Sequence, residues 1–390
     1  LFYIYQRNLK LKVNQKENKL LKLRERKNLM VKKVNLCSIK QNRYAKIFFI
    51  IINCIFILNL TSCQDQEKKR YEAQFLTLFD TVTQIVAYMD NKEEFTEQAN
   101  QIYDDLEKYH ELYDIYKEYA GLVNIKLIND NAGKQPMKVD RRIIDLLQFA
   151  KDIYKNTDGK VNVALGSVLS IWHEYRERGT ADPENAKLPP LDLLQEAARH
   201  TDINKVMIDE AESTVFLNDP DMSLDVGAIA KGYAVEQVSQ RAIDRGFTSG
   251  LISVGGNVKI IGTKDSNKES WNVGIQNPES PNEESNLLIA YLVDYSMVTS
   301  GNYSRYYTVD GKEYHHIINP DTLYPAEYFT AITIICEDSG EADALSTGVY
   351  NMPLQQGLSL IESLPNTEAF WLLPSGEQKF SSGFQALLVK

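Results

Sequence analysis

Cysteine is nearly missing from the bulk of this chain. Of four in 390 residues, Cys37, Cys54 and Cys63 crowd into the first 63 positions, and Cys336 stands alone in the strand-like run A-I-T-I-I-C. One thiol in the remaining body excludes a disulfide framework. Acid is missing from the opening stretch. Residues 1–63 hold only 2 of the 53 Asp+Glu but 14 of the 43 Lys+Arg, a charge of +12; the other 327 residues keep 29 basic against 51 acidic groups, or −22. Long apolar runs are scarce as well, because Ile47–Leu60 is alone in its class, which excludes a multi-span membrane protein. With 20 Gly, 12 Pro and 10% aromatic residues, collagen-like and low-complexity chains are excluded too. Clustered Lys and Arg are lacking in the acidic body, so nucleic acid is not an expected partner. What remains is long enough for one large domain or two of about 150 residues, each able to bury a core.

The basic leader divides further. Residues 1–29, beginning at Leu1, are rich in Lys, Asn and Leu without an apolar period, and read either as a genuine basic extension or as sequence upstream of a true start at Met30. From Met30, Lys32, Lys33, Lys40, Arg43 and Lys46 form a positive region without acid, followed by the fourteen apolar-rich residues Ile47–Leu60. Fourteen residues fall short of the ~20 needed to cross ~30 Å of hydrocarbon, but suit the core of an export signal. The string Leu60-Thr61-Ser62-Cys63 resembles a bacterial lipobox, with a polar tether after it; the alternative is an uncleaved anchor helix with an incidental Cys. The expected organisation is a non-native or disordered extension at 1–29, a lipoprotein signal peptide at 30–62, a lipidated Cys63 and tether at 63–71, and the working domain at 72–390. Its expected place is extracytoplasmic, lipid-anchored to the cell membrane.

Periodicity in the body predicts an α+β fold of mixed or antiparallel sheets with flanking helices. Phe75–Met89 reads as strand or hairpin. Phe95, Ala99, Ile102, Leu106 and Tyr109 predict an amphipathic helix over 92–116, and Asp140 is a helix cap ahead of Ile143, Ile144, Leu147 and Ala150. A further helix follows Pro189-Pro190, and 205–217 reads as a hairpin. Beyond 222, helices are expected at 229–245, 343–350 and 354–362. Strands are expected at 251–253, 258–262, 287–298, 331–336 and 369–373, with a hairpin over 305–318 turning at Asp310-Gly311.

Three constellations offer chemistry. In L-D-V-G-A-I-A-K-G-Y-A (224–234) a short strand is expected to end on Asp225 and a helix to begin by Ile229. Such a helix start, with Lys231 in its first turn, is a natural seat for phosphate, although a capped strand-to-helix turn serves equally well. The glycine spacing fits neither a P-loop nor a dinucleotide fingerprint. In T-S-G-N-Y-S-R-Y-Y (299–307) and Y-H-H-I-I-N-P (314–320), adjacent His315 and His316 point to opposite faces if the strand is regular, so one is structural and the other free for proton transfer. The isolated His110, His173 and His200 lie in helical surroundings and suggest no site. In E-A-D-A-L-S-T-G (341–348), Asp343, Ser346 and Thr347 share a helical face; a carboxylate with hydroxyls and a carbonyl suits Mg²⁺, and the alternative is an N-cap Asp followed by solvated hydroxyls.

Taken in order with S-V-G-G-N (253–257) and I-I-N-P-D-T-L-Y-P-A, these strings resemble the ApbE family of FAD:protein FMN transferases from about Phe79 to Leu373. The resemblance implies a single large ApbE-like (T-fold-like) domain. It implies Mg²⁺-dependent cleavage of FAD with release of AMP, and attachment of FMN by a phosphoester bond to a Thr or Ser of an acceptor flavoprotein of a membrane redox complex or the secreted fraction. It places the metal at the Ala228 carbonyl, Asp343, Thr347 and Ser346, the last a departure where some members have Asp. It places FAD contacts at Phe79, Tyr113, Asp114, Ile115, Asn162, Asp225, Lys231 and Ile318, and the acid/base at His316. Leu323 replaces a usual Gly, so that turn is expected to be built differently. The alternatives are a Mg²⁺-dependent FAD pyrophosphatase and a non-catalytic flavin-binding lipoprotein.

Overall fold

Strand β13 (Ala331–Cys336) is buried at every position, which a strand achieves only when both faces of its sheet are covered. One face packs Ile332 and Ile334 with Ala342, Leu345 and Val349 of a helix. On the other, Ala331 and Ile335 pack with Trp271, Val273 and Ile275 of a separate hairpin. The structure is a computed structural model that describes residues 68–264, 268–280 and 285–388. The extension 1–29, the signal segment 30–62 and Cys63 lie outside the described residues. Residues Glu67–Lys390 form one compact unit.

The central sheet has eight strands in the order β1-β2-β6-β7-β10-β13-β14-β15. They are β1 (Lys69–Phe75), β2 (Thr83–Met89), β6 (Gly250–Val254), β7 (Asn257–Ile261), β10 (Ser296–Gly301), β13, β14 (Glu368–Leu372) and β15 (Gln378–Phe380). Every pairing in it is antiparallel. Strands β8 (Trp271–Gln276) and β9 (Asn286–Leu292) form the covering hairpin. A three-stranded sheet joins β3 (Met137–Lys138), β5 (Thr214–Leu217) and β4 (Val206–Asp209). A last hairpin pairs β11 (Tyr306–Val309) with β12 (Lys312–His315).

The helices follow from local signals. Asn91 caps α1 (Lys92–Tyr113) by accepting the Glu94 N–H, and the buried face runs through Phe95, Ala99, Ile102, Leu106 and Tyr109 as the spacing predicts. It stops because Asp114 turns extended and gathers the Tyr116 and Lys117 N–H groups on one carboxylate oxygen. The short helix α2 (Ile125–Asp130) leads to α3 (Arg141–Asn156), which starts at the expected Asp140 cap. Helix α4 (Gly166–Ala181) supplies the helical surroundings expected of His173, but its bounds are not legible in the sequence, since it buries only Gly166, Val168, Trp172 and Gly179, too few for a clear apolar stripe. The expected helix after Pro190 is α5 (Leu191–Ala197).

Helix α6 (Ala230–Asp244) and helix α7 (Ser339–Tyr350) lie against each other and flank the sheet, with α8 (Leu354–Glu362) beyond. Two expectations change here. The residues up to Asp225 do not form a strand, because the Asn129 side chain takes both backbone groups of Leu224, accepting its N–H at 2.7 Å and donating to its carbonyl at 2.9 Å. A side chain thus supplies the bonds that a neighbouring strand would make. Helix α7 begins at Ser339 with Asp338 as its cap, so Asp343 lies one turn inside and is not the N-cap. Among the described residues no helix is long and apolar enough to cross a membrane.

Candidate functional site

Helix α6 approaches α7 so closely that a Cβ on Gly232 would lie 2.3 Å from the Ser339 carbonyl oxygen and 2.4 Å from the Asp343 Cβ. Only glycine fits there. The approach lets the Gly232 N–H donate to Asp343 Oδ2 at 2.8 Å. The start of α6 therefore holds a carboxylate of this chain. Asp343 is 5% exposed and forms no ion pair among the described residues. Burial pushes its carboxyl up, opposed by the nearby Lys231 charge, the Gly232 N–H and the Asn257 amide. Asn257 is itself buried, reaches this place from the Gly255-Gly256 turn between β6 and β7, and leaves its Nδ2 without a hydrogen-bond partner.

The other oxygens that the sequence singled out lie on the same two segments, the start of α6 and helix α7. Ala228 lies in the turn just before α6, half-buried, and Thr347 is half-buried one helical turn beyond Asp343 on α7. Ser346 is fully buried, and its hydroxyl bonds Ser300 Oγ at 2.7 Å and the Asp343 carbonyl at 2.8 Å. Lys231 points its ammonium back over the Gly227 carbonyl, 3.4 Å away. A buried carboxylate without a cation, a carbonyl and hydroxyls make a hard oxygen donor set that suits Mg²⁺.

The two adjacent histidines separate cleanly. His315 ends β12, is 8% exposed, donates from Nε2 to the Ala326 carbonyl at 2.8 Å and accepts the Ile317 N–H on Nδ1 at 3.2 Å. Both ring nitrogens are spent, and the ring packs edge-on against Tyr350. His316 lies past the end of the strand, half-buried, with its own N–H on the Arg305 carbonyl at 3.1 Å and Nδ1 3.3 Å from that carbonyl. A carbonyl can only accept, so Nδ1 carries the proton and the Nε2 lone pair is left free. Burial first, then the Arg305 charge, the neighbouring His315 ring and the charges of Arg176 and Lys231, push the His316 imidazole down to about 3.

A third group faces the start of α6. Asp225, 9% exposed, folds its carboxylate back onto the Gly227 N–H at 2.8 Å, and its other oxygen lies 3.8 Å from His173 Nε2. Tyr116 reaches His173 Nδ1 with its hydroxyl at 3.1 Å, and burial with the Asp225 charge pushes that phenol up to about 12. Neither Tyr116 nor His173 was singled out in the sequence. Tyr116 lies one residue beyond the string chosen there, and His173 sits on the helix whose apolar stripe is too sparse to read.

The remaining expected ligand residues are placed differently. Phe79 occupies the β1–β2 turn with a positive φ of 52°, its N–H on His110 Nδ1 at 3.3 Å. Tyr113, 4% exposed, is a core residue whose hydroxyl bonds the Arg142 carbonyl, and Ile115 packs against the same core. Asp114 spends one oxygen on two backbone N–H groups and the other on the Tyr119 hydroxyl. Asn162 caps the 3₁₀ turn Val163–Leu165 and donates to the Thr201 carbonyl. Ile318 is buried with Trp172, Tyr307 and Leu323. Leu323 has a left-handed φ of 62°, a conformation that favours glycine, and is held there by burial and by Trp172 Nε1 donating to its carbonyl at 2.8 Å.

Two other features lie away from this constellation. A cleft of about 600 Å³, lined by Leu188, Tyr314, Asn319, Tyr324 and Tyr328 among others, includes none of these site residues. His200, Asp219 and Asp221 come together, but Lys205 Nζ already sits 2.6 Å from Asp219 and takes the place of a cation.

A sequence profile of the ApbE family matches residues 79–371. The chain is 32% identical over 269 residues to the FAD:protein FMN transferase of Treponema pallidum, covering 66% of this chain and 72% of that protein. It is 29% identical over 287 residues to the FAD:protein FMN transferase of Klebsiella pneumoniae, covering 73% and 84%. Its fold matches the crystal structure of the ApbE protein of Thermotoga maritima with a TM-score of 0.73 at 29% identity, covering 83% of this chain and 100% of that one. The flavinyl transferase ApbE of Pseudomonas stutzeri matches with a TM-score of 0.68 at 20% identity, over 83% and 98%, which speaks for the fold.

Proposed function

The chain belongs to the ApbE family, and from that premise we propose that it is an FAD:protein FMN transferase that cleaves FAD, releases AMP and leaves FMN on a Thr or Ser hydroxyl of an acceptor flavoprotein. The observation that carries this reading is the juxtaposition of an unpaired buried carboxylate, Asp343, with the head of α6 and Lys231. Asp343, Thr347 and the Ala228 carbonyl are the residues that would hold Mg²⁺, and Asn257 supports them from the β6–β7 turn. When bound, the ion supplies charge neutralisation for the phosphoryl oxygens. Ser346 is tied to Ser300 and to the Asp343 carbonyl, so its part is to hold the first turns of α7 in register beneath the carboxylate.

The chain's own residues supply the rest. His316 offers the free Nε2 to the acceptor hydroxyl, and its Nδ1 contact with the Arg305 carbonyl fixes the tautomer. Lys231 brings positive charge to the diphosphate. Tyr116, held by His173, offers an aromatic face at the mouth of the site for a flavin or adenine ring. Acceptors would be FMN-carrying proteins of membrane redox complexes or secreted flavoproteins. The leader from Met30 to Cys63 supports an extracytoplasmic, lipid-anchored location.

Transfer and simple hydrolysis differ in what AMP release requires. The full chain is incubated with FAD and Mg²⁺, with and without an FMN-accepting protein domain, and AMP is quantified. The transferase reading predicts AMP that rises with acceptor and matches the label on it. AMP released at the same rate without acceptor would assign the site to FAD hydrolysis, and FAD binding with no AMP in either arm would leave a binding protein.

A further inference from the structure

Nine arginines fall within the described residues, and seven of them form an ion pair with a carboxylate. Among the described residues the two that form none are Arg176 and Arg305. Among the described arginines, those without a carboxylate partner are thus the exception. These two come from distant parts of the chain, and both lie near enough to His316 for their charges to act on its ring. The β11–β12 register pairs Tyr306 with His315, so the next position sets Arg305 beside His316, as the 3.1 Å bond from the His316 N–H to the Arg305 carbonyl shows.

Arg176 arrives from helix α4. Trp172, Arg176 and Gly179 stand at i, i+4 and i+7 and share one face of that helix. The Trp172 ring lies 6.5 Å from the Tyr307 ring, and Gly179 approaches the same ring so closely that a Cβ there would stand 2.6 Å away. Helix α4 is thereby pressed onto the hairpin with Arg176 between its two contact points. The fixed cations acting on His316 are Arg305, Arg176 and Lys231. The same two arginines act, with the acids Asp225 and Glu177, on the neighbouring His173 and Tyr116.

We propose that Arg176 and Arg305 are substrate-binding residues that clamp the diphosphate of the flavin dinucleotide against His316. The inference rests on the transferase reading and extends it to residues that the family resemblance did not supply. A planar guanidinium presents paired N–H donors that match two phosphoryl oxygens, and neither arginine must first surrender a carboxylate. In the transfer, the acceptor oxygen forms a bond to the FMN phosphorus while the bond to the AMP oxygen breaks, and AMP leaves with the electron pair. The hydroxyl proton moves to His316 Nε2. Two fixed cations at the phosphoryl oxygens stabilise the charge that develops in this step. An anion held there also reverses the field on His316, favouring its protonated form.

The test uses the full chain, inorganic pyrophosphate as probe and no Mg²⁺, so that binding reports on side chains alone. Arg176→Gln and Arg305→Gln should each weaken pyrophosphate binding in calorimetry by about tenfold, and the double variant by about a hundredfold, with a shallower dependence on salt. Arg178→Gln, on the same helix but paired with Glu174, should stay within about twofold, and Arg→Lys variants should recover part of the loss. Riboflavin, which has no phosphate, should bind all variants alike, showing that the site is still folded. In wild-type protein, pyrophosphate should raise the His316 pKa followed by NMR, and in the double variant it should not. Unchanged pyrophosphate affinity in the double variant overturns the proposal. If, in addition, only the KM for the acceptor protein rises, the arginines belong to acceptor docking. A chain that binds pyrophosphate through them yet transfers no FMN contradicts the transferase reading alone. A chain that transfers FMN with pyrophosphate affinity unmoved by the variants contradicts the clamp alone.

Discussion

Replacing His315 and His316 separately by alanine should separate stability from turnover, although the two residues are adjacent and chemically identical. His315→Ala strands the Ala326 carbonyl and the Ile317 N–H, both now served by one buried ring. A buried group left without its partner costs about 1–3 kcal/mol. The lost edge contact with Tyr350 adds about 0.5–1.5 kcal/mol. For the two stranded groups and the contact together the sum is about 2.5–7.5 kcal/mol, which corresponds to a fall in Tm of roughly 4–11 °C for a domain of about 320 residues. Turnover per folded molecule should change little. His316→Ala removes one 3.3 Å contact and a half-buried ring among cations, so its melting temperature should stay within a few degrees. Its turnover should fall by about 10²–10⁴, the range for loss of a general base. The assay is thermal denaturation on one aliquot and in-gel flavin fluorescence of an acceptor on another. Equal losses of turnover in both variants, each folded, would refute the assignment of the free Nε2 as the base.

Further outcomes follow from individual contacts. The free-protein His316 resonance should not titrate between pH 5 and 8, because a pKa held near 3 keeps the ring neutral as pH falls through the ordinary value of 6.5; a midpoint near 6.5 in NMR would contradict the cation cluster. Leu323→Gly relieves about 1–2 kcal/mol of left-handed strain but removes a buried side chain worth about 2–5 kcal/mol, so calorimetric stability should fall; a gain would mean the strain outweighs the packing. Gly232→Ala forces a methyl within 2.4 Å of the Asp343 Cβ, costing about 1–3 kcal/mol of overpacking, and should weaken Mg²⁺ binding measured by calorimetry by tenfold or more; an unchanged affinity would separate Asp343 from the metal.

Sequence periodicity exposed the elements whose apolar faces are continuous, and missed those held by side chains or by contacts on a narrow face. Helix α1 and strand β13 were legible because every turn or every residue contributes to a core. Helix α4 was not, because two widely spaced contacts on Tyr307 and a buried Trp172 hold it down. The short segment ending on Asp225 looked like a strand, but Asn129, 95 residues before Leu224, satisfies the Leu224 backbone. The string A-D-A-L-S-T-G put Asp343, Ser346 and Thr347 on one helical face, yet nothing in it revealed that Ser300 engages Ser346 or that Gly232 donates to Asp343. The distinction between His315 and His316 depends on where β12 ends and which carbonyls lie nearby, and adjacent identical letters carry neither. Arg176 and Arg305 stand out only once every other described arginine has been matched with its carboxylate.

The central claim is that FMN leaves this protein attached to another. The most direct measurement is the intact mass of a purified acceptor domain after incubation with the full chain, FAD and Mg²⁺. The account predicts an acceptor heavier by one FMN less one water, lost when the acceptor Thr or Ser is replaced by Ala and absent with the Asp343→Ala chain. An acceptor of unchanged mass, while FAD is bound or consumed, would contradict it.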